Sequence, residues 1–379
     1  MNNNFIKILI IIAGLVSLSK GILNALDFSH DFQYSPAVMA WQNTNHYDYI
    51  LNGGQRGNLQ DPIMLSQNGE YGHGLFILMY PFTLLDWSAA KKFWLAINVL
   101  LSIAIPFYLS KKKGLSKELI FLSIFLFLAS TPARNVIGNG QLSFLILIAL
   151  LLPFFYKGKV AIVLSGFSYL KYNTGYLLFL YFFAKKNYKK IIYSSLIFTL
   201  GWIIYSYITN TNLIESLYQP LKVTFYIKTT SELIYGFSFL NFFFTNNYQS
   251  INIIIIALSI IFSLIFVNMI KNIDDVFLKI SLFCLIILIF SPHRMYDYIL
   301  LFPLMINSLE NFKISKIKII NLFLIFYIFY GLRLIKVFGA DIDNDLIINS
   351  TNILVFFLLF IINYLAYNFQ KNKIKKIYD

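Results

Sequence analysis

Ser88-Ala-Ala-Lys-Lys-Phe-Trp-Leu-Ala-Ile-Asn-Val-Leu-Leu-Ser-Ile-Ala-Ile-Pro-Phe-Tyr-Leu-Ser-Lys-Lys-Lys113 decides the class of this chain. From Phe93 to Ser110 it carries no charge, and it closes on three consecutive lysines. A helix of ~20 apolar residues crosses a bilayer, and lysines gather at its cytoplasmic end. Residues 88–110 therefore read as a span, with Lys111 to Lys113 as its inner anchor.

The same pattern recurs outward in both directions. Apolar runs lie near 5–25, 118–133, 141–156, 159–171, 173–184, 190–208, 250–270, 276–290, 297–309, 317–337 and 350–369. Hydrophobic residues make up 58% of the chain and charged residues 13%, against about a quarter charged in a soluble domain. Mean hydropathy is +0.68. The chain reads as an all-α polytopic membrane protein, a single membrane domain over residues 1–379 with no internal repeat or linker. Met1 to Ala25 has no small-residue cleavage pattern and reads as an uncleaved first span.

Net charge is +14, yet the basic residues sit in clusters between apolar runs. Lys111–Lys113, Lys157 with Lys159, Lys185–Lys190, Lys271, Lys313–Lys318 and Lys371–Lys376 all fall on one side if the amino terminus is cytoplasmic. That agreement places both termini in the cytoplasm and leaves nucleic acid without support as a partner. It also makes residues 27–87 one long extracytoplasmic loop. Within it, Asp31–Trp41 and Tyr71–Leu85 read as interfacial or re-entrant helices. The segment 209–249 falls on the same outer side, with no helix assigned.

This loop opens on Asp27-Phe-Ser-His-Asp-Phe-Gln-Tyr-Ser-Pro36. Asp27, Asp31, Asp48, Asp61 and Glu70 share it with His30, His46 and His73, and Arg56 is its one cation. Carboxylates beside a membrane point to acid–base work. Lys91, Lys92, Arg134, Lys171 and Arg294 break the positive-inside bias. Arg134 and Arg294 follow prolines where apolar helices end, and Lys171 lies between two short runs. Arginine grips phosphate through two parallel bonds and lysine binds it as a point charge. Outer cations facing an outer acid suggest an anionic lipid head group as substrate and proton abstraction as the chemistry. The bland alternative pairs Arg134 or Lys171 with Asp297 or Glu232. Tyr34, Tyr71, Tyr296 and Tyr298 can stack on a sugar or bind a hydroxyl, or anchor the interface.

His30, Asp31, His46, Asp48 and His73 are ligand types for a divalent metal, but no pair has compact ligand spacing, so no metal or other cofactor is expected. Asp341-Ile-Asp-Asn-Asp345 lacks the glycine and final glutamate of a calcium loop. Cys284, the single cysteine, reads as a small buried hydrophobe.

Several of these motifs resemble glycosyltransferase family 87, the polyprenyl-phosphate-sugar-dependent enzymes of the GT-C superfamily. Asp31-Phe-Gln-Tyr-Ser-Pro-Ala resembles its opening motif. Tyr71 to Trp94, with Pro81 and Trp94-Leu-Ala-Ile-Asn98, resembles its aromatic helix and the Trp/Asn helix that follows. Gly140-Gln141, Ser165-Gly166 with Lys171, and Ser291-Pro292 resemble its later motifs. The likeness covers residues 20 to about 305. It departs at Tyr71-Gly-His-Gly74, where the family often has Tyr-Pro-Pro, and at Thr174, where a proline is usual.

The resemblance implies a GT-C-like bundle of about 11–13 transmembrane helices and an inverting transfer on the outer face of the cell membrane. A mannose- or arabinose-like sugar would move from a polyprenyl-phosphate donor to a glycan or glycolipid acceptor. Asp31 is the expected general base, with Asp27 second. Arg134, Lys171, His293 and Arg294 are the expected phosphate ligands. Tyr34, His73, Gln141 and Tyr296 are the expected substrate contacts. A transporter or lipid-linked sugar flippase is the main rival, although the chain lacks the repeated halves such proteins often show. A non-catalytic scaffold subunit of an envelope complex is the other.

Overall fold

The computed structural model describes residues 3–28, 32–54, 69–230, 249–310, 315–331 and 345–378. It is 84% helical, and no strand occurs among the described residues. That is the expected all-α polytopic class. Helices Asn4–Asp27, Trp87–Lys113, Tyr188–Ile208 and Thr351–Asn372 are long and apolar enough to cross a membrane. Lys117–Ala129 with Thr131–Asn139 makes a fifth if that bent pair is one span, and the other apolar runs form shorter helices.

In chain order, α1 is Asn3–Phe28, α2 Tyr34–Trp41, α3 His46–Leu51, α4 Gly74–Leu78, α5 Tyr80–Thr83 and α6 Trp87–Lys113. Then come α7 Lys117–Ala129, α8 Thr131–Asn139, α9 Ser143–Phe155, α10 Lys159–Ser165, α11 Tyr172–Ala184, α12 Tyr188–Ile208 and α13 Leu213–Thr230. The last five are α14 Gln249–Ile270, α15 Val276–Phe290, α16 Phe302–Leu309, α17 Lys316–Phe326 and α18 Asp345–Tyr378. Helix α13 was not expected from the sequence. Its apolar residues are interleaved with polar ones and Pro220, so it carries no continuous apolar run.

Contacts divide the chain into two compact units. The first comprises Met1–Gly14, Ile105–Pro132 and Gly236–Asp379. Its centre is α15, in which every residue from Ile280 to Phe290 is buried. A helix apolar on all sides has to be surrounded, and α14, α16 and α18 pack on it. Asp275 caps its start by accepting the Leu278 N–H at 2.9 Å. Ser291-Pro292 ends it, because a residue before proline is pushed out of helical geometry. Glu310 takes Lys113 at 3.0 Å and Lys318 at 3.5 Å, so these two lysines share one carboxylate.

The second unit comprises Leu15–Ala104 and Ala133–Tyr235. Small residues let its helices meet backbone to backbone. A Cβ on Gly201 of α12 would overlap the Cα of Gly74 in α4, and one on Gly166 would overlap the Ser194 carbonyl. Helices α1 and α8 cross at Gly21, beside the Arg134 carbonyl, and at Gly138, beside Asn24. Among its described residues, the loop expected to hold interfacial helices holds four short ones, α2 to α5. The Tyr71–Leu85 run is two of them, interrupted at Met79.

Candidate active site

Asp31 and His30 lie outside the described residues, as do Arg56, Asp61 and Glu232. What can be built is the frame on either side. Asp27 is exposed on the last turn of α1. Lys91 of α6 donates to the Leu26 carbonyl beside it, which gives one of the cations expected on the outer side a structural task.

On the other side, Phe32 is 1% exposed and stacks on Trp94 at 5.2 Å and on Trp87 at 5.9 Å. Phe82 meets Phe32 edge-on at 5.5 Å. Stacked and edge-on rings at these separations are worth roughly 0.5–1.5 kcal/mol each beyond their burial. Tyr34, expected to touch substrate, is buried, and its hydroxyl donates to the Leu85 carbonyl at 2.7 Å. It ties α2 to the end of the loop.

Trp94 also donates its indole N–H to the Gly140 carbonyl at 2.8 Å. Gly140 has φ of 69°, a left-handed turn that suits glycine. The turn leads through Gln141 into α9. Tyr71 donates its hydroxyl to Gln141 Oε1 at 3.3 Å. Gly72 N–H donates to the Leu170 carbonyl at 2.8 Å, and Lys171 Nζ donates to Ser143 Oγ at 3.4 Å. Three of the resembling motifs thus meet within the second unit. Lys171 is only 6% exposed, at the break where a 3-10 turn over Gly166–Leu170 gives way to α11. Arg134 is half-buried on α8 of the same unit. Glu70, next to Tyr71, acts electrostatically on the Tyr172 hydroxyl.

A polar network, not expected from the sequence, holds the first loop to α12 and α13. Asn45 caps α3, accepting Tyr47 N–H at 3.0 Å and Asp48 N–H at 3.3 Å. Its amide donates to Thr211 Oγ1 at 2.8 Å and to Gln219 Oε1 at 3.0 Å, and Gln219 donates to Asp48 Oδ1 at 2.7 Å. His46 Nε2 meets the Gly69 carbonyl at 3.3 Å, which fixes the Nε2–H tautomer and leaves Nδ1 as acceptor for the Tyr205 hydroxyl at 3.0 Å. Tyr47 donates to the Tyr71 carbonyl at 2.5 Å.

His73 was an expected substrate contact. It is fully buried in this network, edge-on to Tyr205 at 4.9 Å and Tyr47 at 5.1 Å. Neither ring nitrogen has a hydrogen bond of good geometry among the described residues, although the Ser216 backbone carbonyl favours its protonated form. Burial pushes His46 down to about 3 and His73 down to about 4, so both are neutral at ordinary pH. Asp48, half-buried, is raised by partial burial and by Glu215, with Gln219 and Lys222 opposing.

His293, Arg294 and Tyr296 belong to the first unit. His293 is buried, with Nδ1 at 2.9 Å from the Ser291 carbonyl and its ring against Tyr298 and Phe356. Arg294 is exposed, and Asp297 accepts its backbone N–H at 3.2 Å. Among the described residues, no three His, Cys, Asp or Glu side chains are grouped to hold a metal.

No curated protein and no solved structure gives a significant match to the chain. The family model of glycosyltransferase family 87 matches residues 71–227, the segment holding Tyr71, Trp94, Gln141 and Lys171, so over that segment the chain is similar to this family.

Proposed function

We propose that the protein moves a sugar, mannose- or arabinose-like, from a polyprenyl-phosphate donor to a glycan or glycolipid acceptor outside the cytoplasmic membrane, with inversion. The observation that carries this reading is the line from Phe32 through Trp94 to Gly140, Gln141 and Lys171. It links the residue after Asp31 to a buried cation inside the matched segment.

The acceptor hydroxyl attacks the anomeric carbon while Asp31 takes its proton. The bond from that carbon to the phosphate oxygen breaks, and its electron pair leaves on the lipid phosphate. Cations stabilise that charge, so the leaving group needs no separate acid. A glycosidase, by contrast, uses two carboxylates. Lys171 and Arg134, both in the second unit, are the phosphate ligands proposed. Tyr34 and His73, being buried, serve this reading as supports of the loop. Tyr296 remains a proposed contact for the sugar. No cofactor is invoked; transfer abolished by EDTA and restored by a divalent cation would reverse that point. The basic clusters favour cytoplasmic termini.

The test uses membranes containing the full chain and labelled polyprenyl-phosphate sugars. Wild type should move label to an acceptor, and Asp31→Asn should not, at equal insertion and yield. Full activity in Asp31→Asn sinks the assignment of the base.

A further inference from the structure

Gln141 is fully buried, and its Nε2 has no hydrogen-bond partner among the described residues. A buried amide donor left unsatisfied costs about 1–3 kcal/mol. Turning the amide over does not help, because the Tyr71 hydroxyl reaches one of its two polar atoms and the other is orphaned instead. Ser143, two residues on, opens α9, and its hydroxyl holds Lys171 Nζ. The N-cap position of α9 is Leu142, which offers no side-chain acceptor. The start of a helix carries about half a positive charge and favours anions. A buried ammonium and an unused amide donor therefore both adjoin the start of α9.

We propose that Gln141 Nε2, Lys171 Nζ and the first turn of α9 form a cradle for a phosphate group, and that Tyr71 is its positioning residue. By donating to Oε1, Tyr71 keeps the amide nitrogen turned away from itself and available to the anion. Naming the ligand as the donor lipid's phosphate rests on the glycosyltransferase reading; the anion site does not. As a phosphodiester the donor carries one negative charge there, and the departing lipid phosphate gains a second. Donors fixed in a buried site therefore hold the transition state more tightly than the ground state.

Glu70 supplies the competing explanation, in which Lys171 is only its counter-charge. The purified full chain in nanodiscs of zwitterionic lipid distinguishes them, probed with undecaprenyl phosphate, inorganic phosphate and phosphatidylglycerol. The cradle predicts binding of undecaprenyl phosphate, displacement by inorganic phosphate, and weak binding of phosphatidylglycerol. Gln141→Glu keeps the acceptor for Tyr71 but replaces the donor with a charge, so affinity should fall about tenfold or more. That loss should reverse as pH drops and the new carboxyl protonates, a readout that misfolding does not produce. Lys171→Met should fall similarly. Tyr71→Phe should weaken binding less, and Gln141→Glu should then cost less in the Tyr71→Phe background than alone.

Unchanged affinity in Gln141→Glu and Lys171→Met overturns the cradle. So does equal binding of phosphatidylglycerol, or full recovery in Glu70→Gln/Lys171→Met. If these binding results hold while no sugar donor supports transfer, the cradle stands and the enzyme reading falls.

Discussion

Trp94 gives its indole N–H to the Gly140 carbonyl at 2.8 Å while its ring stacks on Phe32 at 5.2 Å. One side chain thus fixes the residue after Asp31 and the residue before Gln141. Trp94→Phe keeps a ring and removes the hydrogen bond, leaving a carbonyl without its donor beside a left-handed turn. The expected cost is about 1–3 kcal/mol of stability, with a larger proportional loss of sugar transfer because two site segments lose their common anchor. Thermal midpoint and initial transfer rate, measured on the same preparation, check this. Transfer falling only in step with folded protein would make Trp94 a packing residue and no more.

Gly201 offers a sharper test of packing. Its α-hydrogen faces Gly74, and a methyl group there overlaps the Gly74 Cα, which is backbone and cannot rotate aside. Gly201→Ala should therefore separate α12 from α4 and cost about 1–3 kcal/mol, the usual range for overpacking. Gly158→Ala is the control, since nothing lies within 4 Å of a Cβ at that position. Size-exclusion profiles and thermal midpoints in detergent should show the first variant impaired and the second close to wild type.

Acid should destabilise the second unit through two histidines. His46 and His73 bind protons in the unfolded chain near the ordinary value of 6.5 but resist them when folded, at about 3 and about 4. Their contribution is complete above pH 6.5 and declines as pH falls toward the folded values. Each adds at most about 1.4 kcal/mol per pH unit in that window. Asp48, raised by burial, acts in the opposite sense, opposed by its bond from Gln219 and by Lys222. Thermal midpoints between pH 7 and 4.5 should fall for wild type and fall less steeply for His46→Gln or His73→Phe. Equal slopes would show that other groups govern acid sensitivity.

The membrane class was legible because hydrocarbon runs and lysine clusters are local signals, and the structure returns them almost residue for residue at Tyr188–Ile208 and Val276–Phe290. The break at Lys171 was legible for the same reason. What escaped were contacts between distant polar residues. Tyr205 meets His46 across 159 positions and Gln219 meets Asp48 across 171. No periodicity announces such pairs. His73 looked like a ligand because it sat among acids in sequence, yet its fold neighbours are aromatic rings. Helix α3 was missed because its signal is a cap, Asn45, on six residues too polar to form an apolar run.

In the first unit, α17 and α18 are joined by an exchange of amides: Asn321 donates to Asn363 Oδ1, and Asn363 donates to Asn321 Oδ1, each at 2.9 Å. Asn363 also donates to the Leu359 carbonyl at 2.7 Å, so both of its amide hydrogens are used. In apolar surroundings the pair fixes how the two helices meet, because sliding either by one residue breaks both bonds. Such polar contacts between membrane helices average about 0.6 kcal/mol and reach about 1.7 kcal/mol. Asn321→Leu and Asn363→Leu alone should each destabilise, since each leaves a buried amide without its partner. The double substitution should cost less than the sum of the two, because no orphan remains. A thermal double-mutant cycle in detergent reads the coupling directly, and strict additivity would mean that the two amides do not depend on one another.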